Sequence, residues 1–436
     1  MSFWRSEFSP EEITYVLDKL REHRKLSPDG KVSLSGAGTV DAWIAFLISA
    51  SGFEVRTDTL RTKIVRGALL SSNLSEDFSE EDFRRVAYQL RNIYANEEVK
   101  VYKVAFPIWN KPDFLNGRKR IDDVTVNLSP SQKTKFFKRI SQERDRQRTS
   151  RNFELFFTDA RLSDLRRCSI CIAHVRANSP ADANERASEA IYEILGLTNL
   201  AKDSGKYWRL SSRVSGKLPV SEVLIGPHTT THFEDGTLTH DGFWHENWVG
   251  GPNFSALNFE KKRAWASRYD QLSKGVSQSL WRGRCKTAVA RYFKAFSNPD
   301  LKESFLDGWR LFENVTGSRY EKIETQINRA SNVFEDNIEY RIIGKHLAHR
   351  RNLISHGHPI KTDDDETLAF QMLQFVVPFL EYFILNGILF RSPEEFWEFL
   401  DLPHSQEERI SERNTLRRRL SLLDKAAQFR GESDGD

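Results

Sequence analysis

Cysteine is scarce in this chain, with three in 436 residues. That is too few for a disulfide framework, which excludes the small stapled secreted classes and points to a reducing compartment. Phosphate-binding glycine patterns are missing too. Gly36 and Gly38 are followed by neither a third glycine nor a Lys-Ser or Lys-Thr pair, so this stretch reads as a turn before a helix at Asp41 to Ser49. No Gly-Ser followed by Asp-x-Asp supports a nucleotidyltransferase, and no internal repeat is present. Met1 to Ser9 carries charges early and has no apolar run, so no signal peptide is expected. Long hydrophobic runs are nearly absent. The one segment that resembles a membrane span, Leu368 to Phe390, is interrupted by Gln371, Gln374, Glu381 and Asn386 and reads as a buried helix. The expectation is a soluble, cytoplasmic protein with no membrane partner.

What is present suits a folded chain. Hydrophobic residues make up 39% and aromatics 12% of it, enough for real cores, and the length suits two or three domains. Lys and Arg total 65 against 61 Asp and Glu, and the net charge of +4 permits RNA binding without demanding it.

The periodicity predicts an α+β N-terminal region followed by an all-α helical bundle. Ser9-Pro10-Glu11-Glu12 is a capping box, with Ile13, Val16, Leu17 and Leu20 as the stripe behind it. Ser79 to Asp82 caps another helix, so residues 1–97 read as mainly helical. Residues 98–255 mix strands at Val99 to Ile108, Ile121 to Leu128, Asn152 to Thr158, Arg167 to Arg176 and Val220 to Gly226 with helices at Pro130 to Arg146 and Ala181 to Leu195. No dinucleotide fingerprint accompanies them, and this region is a candidate sensor or regulatory domain. Asn247 to Asn253, with two glycines and a proline, marks a join. Residues 258–402 are helical, and 403–436 form a charged helix and tail.

One stretch concentrates chemistry: Arg350-Arg351-Asn352-Leu353-Ile354-Ser355-His356-Gly357, the end of a helix whose apolar positions are Ile338, Ile342, Ile343, Leu347 and Ile354. Gly357 suits a helix stop, with Pro359 beyond it. Arg351, Asn352, Ser355 and His356 fall on one contiguous face and offer a fixed cation, an amide, a hydroxyl and a group that titrates near neutrality. Arginine binds phosphoryl oxygens bidentately and histidine moves a proton, a set that suits a phosphodiester.

Arg351 and His356 with four residues between them, in the form Arg-Asn, resemble the Arg-x4-6-His motif of HEPN ribonucleases. Trp309 and Glu313 on an upstream helix, and the apolar helix after the histidine, resemble the ApeA-like branch. The resemblance covers about residues 258–402. It implies an all-α fold, a homodimer through the helical domain, and RNA cleavage without metal or other cofactor. Arg351 would stabilise charge, His356 transfer a proton and Asn352 orient the histidine or the phosphate. Glu313, Ser355 and His358 would support them, Glu313 by orienting Arg351. One histidine per chain is one short of an acid–base pair, and a second copy supplies the other. The same resemblance implies bacterial antiviral defence or toxin action, with a phage-derived trigger. The alternative is a non-catalytic RNA- or protein-binding module.

Other clusters have plainer readings. His228, His232, His240 and His245 lie among Glu234, Asp235, Asp241 and Glu246 and would suit a transition metal, but the spacing matches no tight motif. A polar hairpin with turns at Asp235-Gly236 and Asp241-Gly242 accounts for them, and no metal is assigned. Cys168 and Cys171 fall in a predicted strand, where neither a redox motif nor a zinc ribbon is expected. Arg118 to Arg120, Glu143 to Arg151 and Arg417 to Arg419 read as solvated basic runs. His346 and His349 precede the motif on its own helix.

Overall fold

The computed structural model describes residues 3–96, 99–148, 168–203, 219–226, 228–239, 244–245, 259–317, 321–334, 336–356, 365–387 and 389–431. An α+β N-terminal region precedes an all-α bundle, as the periodicity predicts. Two compact units make up the chain. The first comprises Met1–Trp109, Asn116–Ile191 and Ile225–Trp248; the second comprises Asn110–Leu115, Tyr192–Leu224 and Val249–Asp436.

In the first unit, α1 (Pro10–His23), α2 (Ala37–Ala50), α3 (Asp58–Leu69) and α4 (Glu80–Asn96) enclose a core that includes Leu17, Leu20, Leu47, Ile64, Phe78 and Phe83. The capping box on α1 is complete: Ser9 Oγ accepts from the Glu12 amide, and the Glu12 carboxylate accepts from the Ser9 amide. β1 (Arg24–Leu26) and β2 (Val32–Leu34) form a small antiparallel pair. Arg24 at its start is buried, and its guanidinium donates to the carbonyls of Leu69, Ser71, Leu74 and Ser75. It thereby satisfies backbone acceptors that the end of α3 and the following turn would otherwise leave open.

The main sheet has the order β4-β5-β6-β3-β8-β9, with β8 (Thr229–Phe233) and β9 (Trp244–His245) at one edge, and neighbouring strands along this path are antiparallel. Its central strand β3 (Lys100–Trp109) is buried from Tyr102 onward and pairs with β6 (Ser169–Ala177) from Lys100↔Ala177 to Ile108↔Ser169. The predicted strand at Ile121 to Leu128 is instead a hairpin of β4 (Arg118–Ile121) and β5 (Val124–Asn127). Asp122 adopts φ 52° at the turn, a conformation that a short polar side chain tolerates. The predicted strand at Val220 to Gly226 contracts to β7 (Leu224–Ile225), which pairs with β3. The strand expected at Asn152 to Thr158 lies outside the described residues.

α5 (Lys135–Arg148) packs Phe136, Phe137 and Ile140 against Ala105 and Ile172 of the sheet. α6 (Pro180–Asp203) runs eight residues past its predicted end at Leu195 and carries the unit boundary within it. Within the first unit the α6 carboxylate of Glu185 accepts from the amides of Asp58 and Thr59, capping α3.

The second unit contains the latter part of α6 together with α7 (Phe259–Gln278), α8 (Arg282–Phe296), α9 (Leu301–Thr316), α10 (Ile323–Ser331), α11 (Asn337–Ser355), α12 (Asp365–Leu385), α13 (Pro393–Asp401) and α14 (Gln406–Arg430). α12 is long and apolar enough to cross a membrane, yet 72% of that apolar window is buried inside the protein. Its one buried carboxylate, Glu381, receives a bidentate pair from Arg268 at 3.2 and 2.7 Å. α9 lies close against α12: a Cβ on Gly308 would meet Met372 Cγ at 2.9 Å. The latter part of α6 is integral to this unit. The Tyr292 hydroxyl donates to Asp203 at 2.5 Å, and Lys202 pairs with Glu222 and lies over the Trp265 ring.

Candidate functional site

α11 begins with Asp336, whose carboxylate accepts from the Glu339 amide. It is seated by Gly344, Leu347 and Ile354, all buried. A Cβ on Gly344 would lie 2.7 Å from Ile327 and 2.9 Å from Phe375, so only glycine permits this approach to α10 and α12. The spacing 344, 347, 351, 354 is a core-facing seam, and Arg351 occupies its third place. Instead of apolar neighbours it meets α9. Arg351 Nη2 donates to Glu313 Oε1 at 3.4 Å, and the same oxygen accepts from Trp309 Nε1 at 2.8 Å. Trp309 is buried and cannot yield, so it fixes the carboxylate that holds the arginine. Arg351 Nη1 also donates to Asn352 Oδ1 at 3.1 Å.

The other motif residues face outward. Asn352, Ser355 and His356 are exposed, and His356 ends the helix, its amide donating to the Asn352 carbonyl at 3.0 Å. Among the described residues no hydrogen bond joins Arg351 to His356. Five residues of helix separate them by about 140° around the axis and about 7.5 Å along it. Gly357, His358 and Pro359 lie outside the described residues. His346 and His349 are exposed, and neither lines the cleft at Arg351.

That cleft has a volume of about 710 Å³. Beside Arg351 and Glu313 it is lined by Arg291 and Lys294 from α8, Asp307 and Arg310 from α9, and Glu321 before α10. Its carboxylates are neutralised locally: Asp307 pairs with Arg310 at 2.6 Å, Glu313 with Arg351, and Glu321 with the buried Arg329 at 2.9 Å. Arg329 also holds Asp401. Burial alone would lower its pKa, but the two carboxylates raise it above the ordinary arginine value. Among the described residues Arg291 and Lys294 form no salt bridge, so they leave the cleft a cationic wall. Sequence reasoning missed these cations. Arg291 and Lys294 are spaced i, i+3 on the face of α8 opposite Val289, Tyr292, Phe293 and Phe296, which is also the pattern of any solvated helix face.

Three further sequence clusters take their places in the fold. His232 is fully buried in the first unit. Its Nδ1 lies 3.0 Å from the Gly236 carbonyl and its Nε2 2.8 Å from Thr230 Oγ1, so both ring nitrogens are engaged. Burial, reinforced by the charge of Arg144, pushes its pKa down to about 3. β8 (Thr229–Phe233) and β9 (Trp244–His245) pair, and Gly236, at φ 93°, lies in the turn expected at Asp235-Gly236, while the turn expected at Asp241-Gly242 lies outside the described residues. No group of three or more metal-ligating side chains exists among the described residues; His240 lies outside them. The run from Glu143 is not wholly solvated. Arg144 is buried and donates to the His228 carbonyl and to Thr230 Oγ1. Cys171 is buried within β6, and Cys168 is half-buried just before it.

Comparison of the chain with protein-family models, with curated proteins and with solved structures finds no match.

Proposed function

We propose that the helical unit is a metal-independent endoribonuclease of the HEPN type, ApeA-like, whose site is completed by a second copy of the chain. One observation carries this reading. An arginine placed in a core seam, and held there by a tryptophan-fixed carboxylate, borders a cationic cleft at the helix end that also carries His356. A cation so preorganised is suited to charge that develops on phosphorus, because it needs no rearrangement at the moment of reaction. The 2′-hydroxyl of RNA attacks the adjacent phosphorus and the bond to the 5′-oxygen breaks, leaving a 2′,3′-cyclic phosphate and a 5′-hydroxyl. His356 transfers a proton in this step, Arg351 balances the phosphorane charge, and Asn352 and Ser355 position the phosphate. Arg291 and Lys294 receive neighbouring phosphates of a single strand.

A second copy supplies the missing acid or base. The exposed stripe of α11 supports this part of the reading. Ile338 and Ile342, each 64% exposed, share it with His349 and His356 at helical spacing. Isoleucines in that setting suit a symmetric contact that brings two motifs together. The first unit, in this reading, restrains the nuclease until a phage-derived trigger engages it. A non-catalytic RNA- or protein-binding role is the competing reading, favoured by the outward position of His356 in the single chain. Cleavage of single-stranded RNA in excess EDTA, with end-group analysis of the products, tests the proposal. Cleavage that is lost in Arg351→Ala and His356→Ala supports it, and binding without cleavage favours the alternative.

A further inference from the structure

α14 is 25 residues long and buries none of them. Its start is tied down by Ser405 Oγ, which accepts from the Glu408 amide, and by Arg409, which donates to the Pro403 and His404 carbonyls. Gly431, at φ 65°, closes its end. Helices draw most of their stability from tertiary packing of an apolar face, and this one has no such packing in the single chain. It nevertheless carries a stripe: Leu416, Leu420, Leu423 and Ala427 recur at intervals of four, three and four, and the three leucines are 55%, 60% and 59% exposed.

These intervals fix one heptad frame, with Leu416 and Leu423 at d and Leu420 and Ala427 at a. The flanking g positions are then Glu412 and Arg419, and the e positions Arg417 and Asp424. In a parallel two-stranded coiled coil each g residue faces the e residue of the next heptad on the other strand. Glu412 meets Arg417 of the second copy and Arg419 meets Asp424, so both contacts are attractive and each occurs twice by symmetry. An antiparallel pair that matches the whole stripe, Leu416 with Ala427 and Leu420 with Leu423, would set Arg417 beside Asp424 but leave Glu412 and Arg419 without opposite charges across the seam, half the attractive contacts of the parallel pair. Leu422 and Phe429 fall on the opposite side with Arg418 and Lys425, so the helix lacks the single broad apolar face that a lipid surface requires. We infer that α14 is a dimerisation helix that pairs in parallel with α14 of a second copy of this chain, in the register Leu416–Leu416, Leu420–Leu420, Leu423–Leu423. This inference is independent of whether the protein cuts RNA. A parallel pair has its twofold axis along the helices and is therefore compatible with a symmetric dimer of the helical unit.

Disulfide trapping in the full chain reads the register directly. Leu416→Cys, at a d position, is expected to cross-link copies to each other under mild oxidation, whereas Arg418→Cys, on the outer face, and the wild type with its three native cysteines do not. Sedimentation equilibrium supplies the second measurement. Glu412→Arg, which turns two attractive contacts repulsive, is expected to raise the dimer dissociation constant about three- to tenfold. The doubly swapped Glu412→Arg/Arg417→Glu protein is expected to recover the wild-type value. All these positions are exposed, so the variants fold. A dimer that forms through α11 alone gives no Leu416→Cys cross-link and overturns the inference. So does a chain that stays monomeric at tens of micromolar, or a charge swap that fails to restore association.

Discussion

Arg351 Nη2 donates to Glu313 Oε1 at 3.4 Å across the gap between α11 and α9, and the buried Trp309 pins that same oxygen from the other side at 2.8 Å. The pair is about one-third exposed on each side, so it contributes little to stability, while it strongly restricts where the guanidinium points.

Replacing Arg351 with alanine is therefore expected to slow RNA cleavage about a thousandfold, while thermal stability falls by about 1 kcal/mol or less. Glu313→Gln keeps the shape but removes the charge, and its rate is expected to lie between wild type and Arg351→Ala. Single-turnover cleavage assays beside thermal melts check both. A large loss of stability in Arg351→Ala would show the residue to be structural.

His356→Ala is expected to cost about 10²- to 10⁴-fold in cleavage. Because a shared site needs both copies, adding an excess of inactive Arg351→Ala protein to wild type should depress activity beyond simple dilution. Mixing at fixed wild-type concentration and following the initial rate decides the point; an unchanged rate argues for independent sites.

Folding stability should fall as the solution is acidified, and His232 should account for part of that fall. Its folded-state pKa of about 3 lies below the unfolded value of about 6.5, so between these pH values only the unfolded chain binds the proton. The unfolded state is then favoured by about 1.4 kcal/mol per pH unit, and the contribution is fully present above pH 6.5. Urea melts from pH 7 to 4 should give a steeper dependence for wild type than for His232→Gln, and equal slopes would refute the assignment.

Arg329→Met is expected to destabilise the helical unit by about 2–3 kcal/mol. The change removes four charge-assisted contacts to Glu321 and Asp401 and one to the Thr316 carbonyl. Both carboxylates are partly exposed and can rehydrate, which keeps the cost below that of a fully buried pair. Because Glu321 lines the cleft, RNA affinity should weaken as well, measurable by fluorescence anisotropy.

Much of this molecule follows from local chemistry. The capping box at Ser9, the stripes of α1 and α9, and the run of β3 were legible because each is decided within a few residues by hydrogen-bond geometry and side-chain period. The succession of an α+β region and a helical bundle is a sum of such local choices. So is the polar end of α11, which marks Arg351, Asn352, Ser355 and His356 as unusual. What a residue faces is decided elsewhere. Ile338 and Ile342 have the spacing of a buried stripe and are exposed, while Arg351 sits in the seam. Only the approach of α9, α10 and α12 determines which side of α11 is covered. Arg144 and His232 read as solvated groups, but packing of α5 on the sheet buries both and leaves the histidine neutral. The cleft draws on α8, α9 and α11 and on the segment before α10, side chains about sixty residues apart that no local pattern connects. Sequence sets the secondary structure and the inventory of chemistry. Tertiary packing alone decides desolvation and proximity, and these turn an inventory into a site.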